Sequence, residues 1–76
     1  MRDLVLWLAG QLVERPADVR VDVVERDRTS VLELRVAPGD VGRVIGRGGR
    51  TVRALRTVLD AAASGRGRHA VLDVVD

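Results

Sequence analysis

Residues Gly46-Arg47-Gly48-Gly49 sit in the middle of an apolar pattern of helical spacing, and they decide what the second half of this chain can become. Val41, Val44 and Ile45 precede them at i, i+3 and i+4, and Val52, Leu55, Val58, Leu59 and Ala62 share one helical face after them. Each glycine in a helix interior costs about 1 kcal/mol relative to alanine, so no long helix carries this run. The stretch therefore reads as a short helix opened by Pro38-Gly39-Asp40, a tight glycine loop, and a longer helix that Ser64-Gly65 ends.

The first half has a different rhythm. Leu4, Leu8 and Leu12, with Val5 and Val13, predict a helix near residues 2–14, closed by Pro16. Val19, Val21 and Val23 alternate with Arg20 and Asp22, and Leu32, Leu34 and Val36 alternate with Glu33 and Arg35. These are two strands, joined by the polar run Glu25-Arg26-Asp27-Arg28, and so short a connection requires them to pair antiparallel. Ala70, Leu72 and Val74 define a last strand beyond the turn at Arg66-Gly67. The order α-β-β-α-α-β predicts an α+β domain, a three-stranded sheet packed on one face by three helices. Without a linker or an internal repeat, residues 1–76 are expected to form a single domain.

At 76 residues such a domain buries only about 60% of its unfolded surface and needs a dense core or a partner. No apolar run approaches a membrane span, and Met1-Arg2-Asp3 does not have the form of a signal peptide, so a cytoplasmic protein is expected. The absence of cysteine removes disulfides, thiolate metal sites and cysteine nucleophiles, and a single histidine, His69, cannot build a histidine-rich metal centre. No serine or threonine has a matching base, and the carboxylates suggest no acid–base pair. We expect no enzyme, no catalytic residue, no metal and no cofactor.

Charge points instead to a polyanion. All 13 basic residues are arginine, against 11 acids, for a net charge of +2. Residues 1–40 carry six arginines and eight acids, a net of −2, whereas residues 41–76 carry seven arginines and three acids, a net of +4. Arg43, Arg47, Arg50, Arg53 and Arg56 follow one another without an intervening acid.

The glycine loop lies within that stripe. A Walker-type loop requires a lysine, which this chain lacks, and a dinucleotide fingerprint requires different glycine spacing directly after a strand. A passive turn with Gly46 as a helix cap accounts for one glycine but not for three with an arginine between them. A Gly-x-x-Gly turn between two helices does account for the pattern: its bare backbone can approach a phosphodiester chain, and the next helix offers free N–H groups. Candidate nucleic-acid contacts are Val44, Ile45, Gly46, Arg47, Gly48, Gly49, Arg50 and Arg53.

Val44-Ile45-Gly46-Arg47-Gly48-Gly49 resembles the Val-Ile-Gly-x-x-Gly signature of KH domains, which clamp about four nucleotides of single-stranded RNA. With a helix and strand at the N-terminus, the element order is similar to the type II KH arrangement. The block from Leu34 to Gly46 and the helix Arg50–Ala63 are similar to the KhpA family of small bacterial single-KH-domain proteins. In this chain arginine stands for that family's frequent lysines, and Gly48 leaves the loop one basic variable residue. The resemblance implies single-stranded RNA as partner, an RNA chaperone-like role in post-transcriptional regulation, homodimers, and heteromers with a KhpB-like protein.

Two other readings remain at the level of sequence. Residues 40–63 could be a helix-turn-helix DNA reader, although strands flank the pair and the second helix has no Asn or Gln for adenine. A KH-like domain could also serve mainly for assembly. Leu59, Ala61, Ala62 and Ala63 offer small apolar surface, so a homodimer through the exposed side of this helix is expected. An RRM-type sheet is excluded by the absence of Phe and Tyr. The one aromatic, Trp7, reads as a core or interface residue, and His69 as an exposed residue of the last strand.

Overall fold

A computed structural model describes residues 1–75. Helix α1 (Arg2–Leu12) is followed by a 3-10 turn at Pro16–Asp18, strand β1 (Arg20–Arg26) and strand β2 (Thr29–Arg35). A second 3-10 turn at Pro38–Asp40 leads into α2 (Val41–Ile45), the glycine loop, α3 (Arg50–Ser64) and β3 (His69–Val75). The order α-β-β-α-α-β and the α+β class are those expected.

The sheet order is β1-β2-β3, with β1 antiparallel to β2 and β3 parallel to β2. A two-residue turn at Asp27-Arg28 joins β1 to β2, shorter than the four polar residues suggested. Glu25 and Arg26 belong to the strand, opposite Ser30 and Thr29. Asp27 takes φ 45°, which Asp tolerates better than most side chains. The α2–α3 crossover carries the chain back so that β3 can run parallel to β2.

One face of the sheet is covered by helices. Leu32, Leu34 and Leu72 are buried beneath Val5 and Ala9 of α1, Val44 of α2, and Val52, Leu55 and Leu59 of α3. The stripe of α3 runs Val52-Leu55-Leu59-Ala63, so Val58 falls outside the apolar face assigned to it and stands 44% exposed. In α1 the buried line is Val5 and Ala9, with Leu4 and Leu8 half-buried and Leu12 exposed. Trp7 is 63% exposed and is no core residue. Helix α1 stops two residues short of the expected end because Val13 is already extended, with φ −98° and ψ 159°.

Asp40 ties α1 to α2, a role the sequence did not suggest. Its carboxylate is 3% exposed and accepts hydrogen bonds from the backbone N–H of Glu14 and of Arg15, each at 3.1 Å. These donors lie just beyond the end of α1, so the side chain fixes where that helix meets the turn into α2. At the far end of α3, Gly65 keeps a helical φ of −63°, and the reversal into β3 falls on Gly67 at φ 68°. The Arg68 N–H returns to the Ala63 carbonyl at 2.9 Å and seals that terminus.

Candidate nucleic-acid interface

The loop between α2 and α3 owes its shape to three glycines with positive φ: Gly46 at 76°, Gly48 at 63° and Gly49 at 78°. Gly46 ends α2 by donating its N–H to the Gly42 carbonyl at 2.9 Å. Its ψ of 167° puts it in a region open essentially to glycine alone. A Cβ there would also meet the Cβ and backbone N of Thr51, each at 2.7 Å. Thus Gly46 lets the chain double back against the first turn of α3. Gly48 differs, for a Cβ on it would meet nothing within 4 Å. Its side of the loop faces open space.

Gly49 is left-handed, with ψ 13°, and the α-helical run starts at the next residue, Arg50. No side chain caps α3, and no acid occupies its first turn. Gly49 and Arg50 donate their N–H groups to the Gly46 and Arg47 carbonyls, so it is the rest of that turn, with the positive end of the helix dipole, that lies beside an uncovered loop.

The five-arginine stripe divides in two. Arg43 is held by acids, with Glu14 at 2.7 Å and Asp40, three residues earlier, at 3.2 Å, although no acid falls within the arginine run itself. Arg56 donates from Nε and Nη2 to the Leu72 carbonyl, at 3.3 and 3.1 Å, and so covers part of the outer edge of β3. Arg47, Arg50 and Arg53 are exposed and have no ion-pair partner among the described residues. Arg53 reaches back to the loop, its Nη1 lying 3.7 Å from where a Gly49 Cβ would stand. Three arginines without ion-pair partners thus stand in the loop and the first turn of α3.

Of the eight candidate contact residues, Gly46, Arg47, Gly48, Gly49, Arg50 and Arg53 form or border this loop, with Ile45 half-buried beside it. Val44 is the correction. It is 0% exposed and packs in the core, because the i+3 spacing that put it on the helix places it on the sheet-facing side. It supports the loop and can touch no ligand.

The two flanks of α3 differ in chemistry. Arg53 and Arg56 lie towards the loop and β3. Thr51, Ala54, Leu55 and Val58 face α1 and, with Trp7, Leu8, Gln11 and Leu12, line an apolar groove of about 360 Å³. The expected self-association residues fare less well. Leu59 and Ala63 are buried in the core, which leaves Ala61 exposed and Ala62 half-buried. Apolar surface on the helical side belongs to this groove instead.

Among the described residues, no helix is long and apolar enough to cross a membrane. A five-residue α2, in a helix pair flanked by β2 and β3, also removes the frame of a helix-turn-helix reader.

Comparison with known proteins bears on the whole chain. The family model for the KH domain of KhpA/KhpB matches residues 2–74. A protein of Halalkalibacterium halodurans named RNA-binding protein KhpA is 45% identical over 76 residues, covering 100% of both chains. Proteins of the same name from Mycobacterium bovis and Leifsonia xyli are 49% and 54% identical, over 97% and 86% of this chain and 89% and 83% of theirs. No solved structure matches.

Proposed function

This chain belongs to the KhpA/KhpB family of KH domains, and we propose that it binds single-stranded RNA with the Gly46–Gly49 loop as its phosphate clamp. It is a binding domain of that family and not an enzyme. The observation that carries the clamp is the coincidence of a bare backbone and free charge. Gly48 turns no Cβ towards the open side, and Arg47, Arg50 and Arg53 surround it without acids to neutralise them. Phosphates can approach the backbone N–H groups at the start of α3 while the guanidinium groups bind their oxygens. Half-buried Ile45 then offers apolar surface for a base beside the loop.

Names carried by the relatives support RNA as the ligand. Family resemblance extends the reading to a single KH domain acting as an RNA chaperone-like post-transcriptional regulator in the bacterial cytoplasm. Homodimers and heteromers with a KhpB-like protein belong to the same reading, and the α1–α3 groove is the surface we assign to a protein partner. Its favouring observation is exposed Trp7 and Val58 on either side of an apolar seam, on the flank of α3 away from Arg53 and Arg56.

The test is a paired substitution. Arg47→Asp with Gly48→Asp changes the net charge by −3 where phosphates must approach. Arg28→Asp with Arg66→Asp changes it by −4 at the opposite end of α3, on two exposed arginines without ion pairs. The loop variant should bind no single-stranded RNA at concentrations that saturate the parent, while the control keeps most of its affinity. Equal loss in both would mean diffuse attraction and no clamp.

A further inference from the structure

The uncovered face of the sheet carries an ordered pattern that RNA binding does not use. Strand register aligns its outward residues in transverse rows, one residue per strand. Arg26, Thr29 and His69 form the first row, and Val24, Val31 and Val71 the second. Asp22, Glu33 and Asp73 form the third, and Arg20, Arg35 and Val75 a fourth. Val24 and Val71 are 42% and 44% exposed. A three-residue apolar row thus lies between a basic row and an acidic one.

The acidic row is costly in isolation, because like charges directly opposite on neighbouring strands repel. Only Asp22 is relieved, by Arg35 at 3.2 Å, while Glu33 and Asp73 have no ion-pair partner among the described residues. No group of three acids or histidines is arranged to hold a metal ion among those residues. Arg26 and His69, across the valines, are likewise without an acid partner.

We propose that this face is a self-association surface on which two copies pack sheet to sheet about a twofold axis running over the valine row. That operation keeps each strand opposite itself and exchanges the rows on either side. Val24, Val31 and Val71 then meet their own copies, Arg26 faces the Asp22 of the second molecule, Thr29 faces Glu33, and His69 faces Asp73. Other settings fail on the same pattern. An axis along the strands sets acid against acid, and an axis over the acidic row does so too. An axis between the acidic row and the Arg20-Arg35-Val75 row also opposes unlike charges but leaves the valines uncovered, so one register both pairs the charges and buries the valine row.

Its size sets its strength. Three strands about 4.8 Å apart and seven residues of about 3.3 Å rise span roughly 300 Å², well below the ~800 Å² per partner of a standard interface. This association is weak and needs high local concentration, such as several copies along one RNA. It is independent of the α1–α3 groove and of the loop. Where both protein surfaces operate, two different twofold contacts on one domain extend an assembly instead of closing it.

Complementary variants test the pairing, in a Trp7→Glu background that removes the groove contact. Arg26→Glu alone sets an acid against the acidic row in both halves of the dimer. Asp22→Arg alone sets a cation against Arg26 in both halves. Mixing the two restores opposite charge in both halves. Amide spectra of isotope-labelled Arg26→Glu protein should shift at residues 22–26, 29–33 and 69–73 when unlabelled Asp22→Arg protein is added to the millimolar range. Adding unlabelled Arg26→Glu should leave them unmoved, with at least tenfold weaker association. Dispersed spectra of each variant alone verify folding. The proposal is overturned if mixing moves no sheet resonance, or if the shifts map to residues 4–12 and 51–58. It is equally overturned if these rows respond to an arginine-rich peptide or to RNA but not to the second copy.

Discussion

Gly46 and Thr51 approach so closely that no side chain can stand between them. A Cβ on Gly46 would lie 2.7 Å from the Cβ and from the backbone N of Thr51, and the glycine also holds φ 76° and ψ 167°. Conformation and contact therefore demand the same residue. At Gly48, by contrast, only the φ of 63° speaks for glycine. The loop thus has one structural glycine, at its root, and one whose missing side chain matters at the surface.

Alanine substitutions should separate these roles. Gly46→Ala combines a strained backbone with overpacking against α3, each of order 1–3 kcal/mol, and should lower the melting temperature by 10 °C or more. Gly48→Ala adds only a left-handed alanine, about 1 kcal/mol, and should cost about 4–8 °C. Thermal denaturation followed by circular dichroism gives the order, and a Gly48→Ala loss as large as that of Gly46→Ala would contradict it.

Asp40 is the buried polar residue on which the α1–α2 junction depends. Asp40→Ala leaves the N–H groups of Glu14 and Arg15 without acceptors and Arg43 with Glu14 alone. We expect a loss of about 2–3 kcal/mol in urea unfolding at neutral pH. Asp40→Asn retains one oxygen acceptor and should lose about half as much. An Asp40→Ala chain as stable as the parent would show that water replaces the carboxylate.

Much of this architecture was legible because periodicity reports burial directly. Val52, Leu55 and Leu59 lie at helical spacing and do face the sheet, and the glycine run did split α2 from α3. What periodicity could not give is which members of a broad apolar stripe stay dry. Val58 and Trp7 sit at its margins, on the groove between α1 and α3, where no neighbouring element among the described residues covers them. Long-range pairing was equally hidden. The Arg43–Glu14 ion pair joins residues 29 apart in sequence, so the arginine stripe looked longer than the free charge it leaves. In the candidate site, glycine chemistry and the arginines were readable, whereas Val44 was misplaced because loop neighbours in sequence can point into the core.

That division of the arginines makes a salt-dependence prediction. Each phosphate contact to a single strand contributes about −0.7 to the log–log slope of affinity against salt. Free Arg47, Arg50 and Arg53 should give a slope of about −2, and replacing any one of them by Gln should reduce it by about 0.7. Arg43→Gln and Arg56→Gln remove guanidinium groups already committed to Glu14, Asp40 and the Leu72 carbonyl. They should leave the slope unchanged and appear as small losses of stability, within about 1 kcal/mol for Arg43. Fluorescence anisotropy with a labelled single-stranded RNA at several salt concentrations measures all five variants.

Trp7 is the only aromatic residue in the chain, so its fluorescence reports the α1–α3 groove without interference. In an isolated copy the indole is 63% exposed and should emit as a solvated group. Docking of a protein partner on the groove covers the ring together with Leu12 and Val58, removing apolar surface from water at about 25 cal/mol per Å². Raising the protein concentration should then shift the emission to the blue in step with the increase in sedimentation mass. Val58→Asp puts a charge in the same seam from a residue that is 44% exposed and lies outside the buried stripe. That variant should fold with near-parent stability, keep a concentration-independent spectrum and sediment with a lower mass. The sheet-face variants Arg26→Glu and Asp22→Arg leave the groove untouched and should retain the blue shift. A dimer that forms with no change in Trp7 emission would place the contact elsewhere, and the groove would lose its assignment.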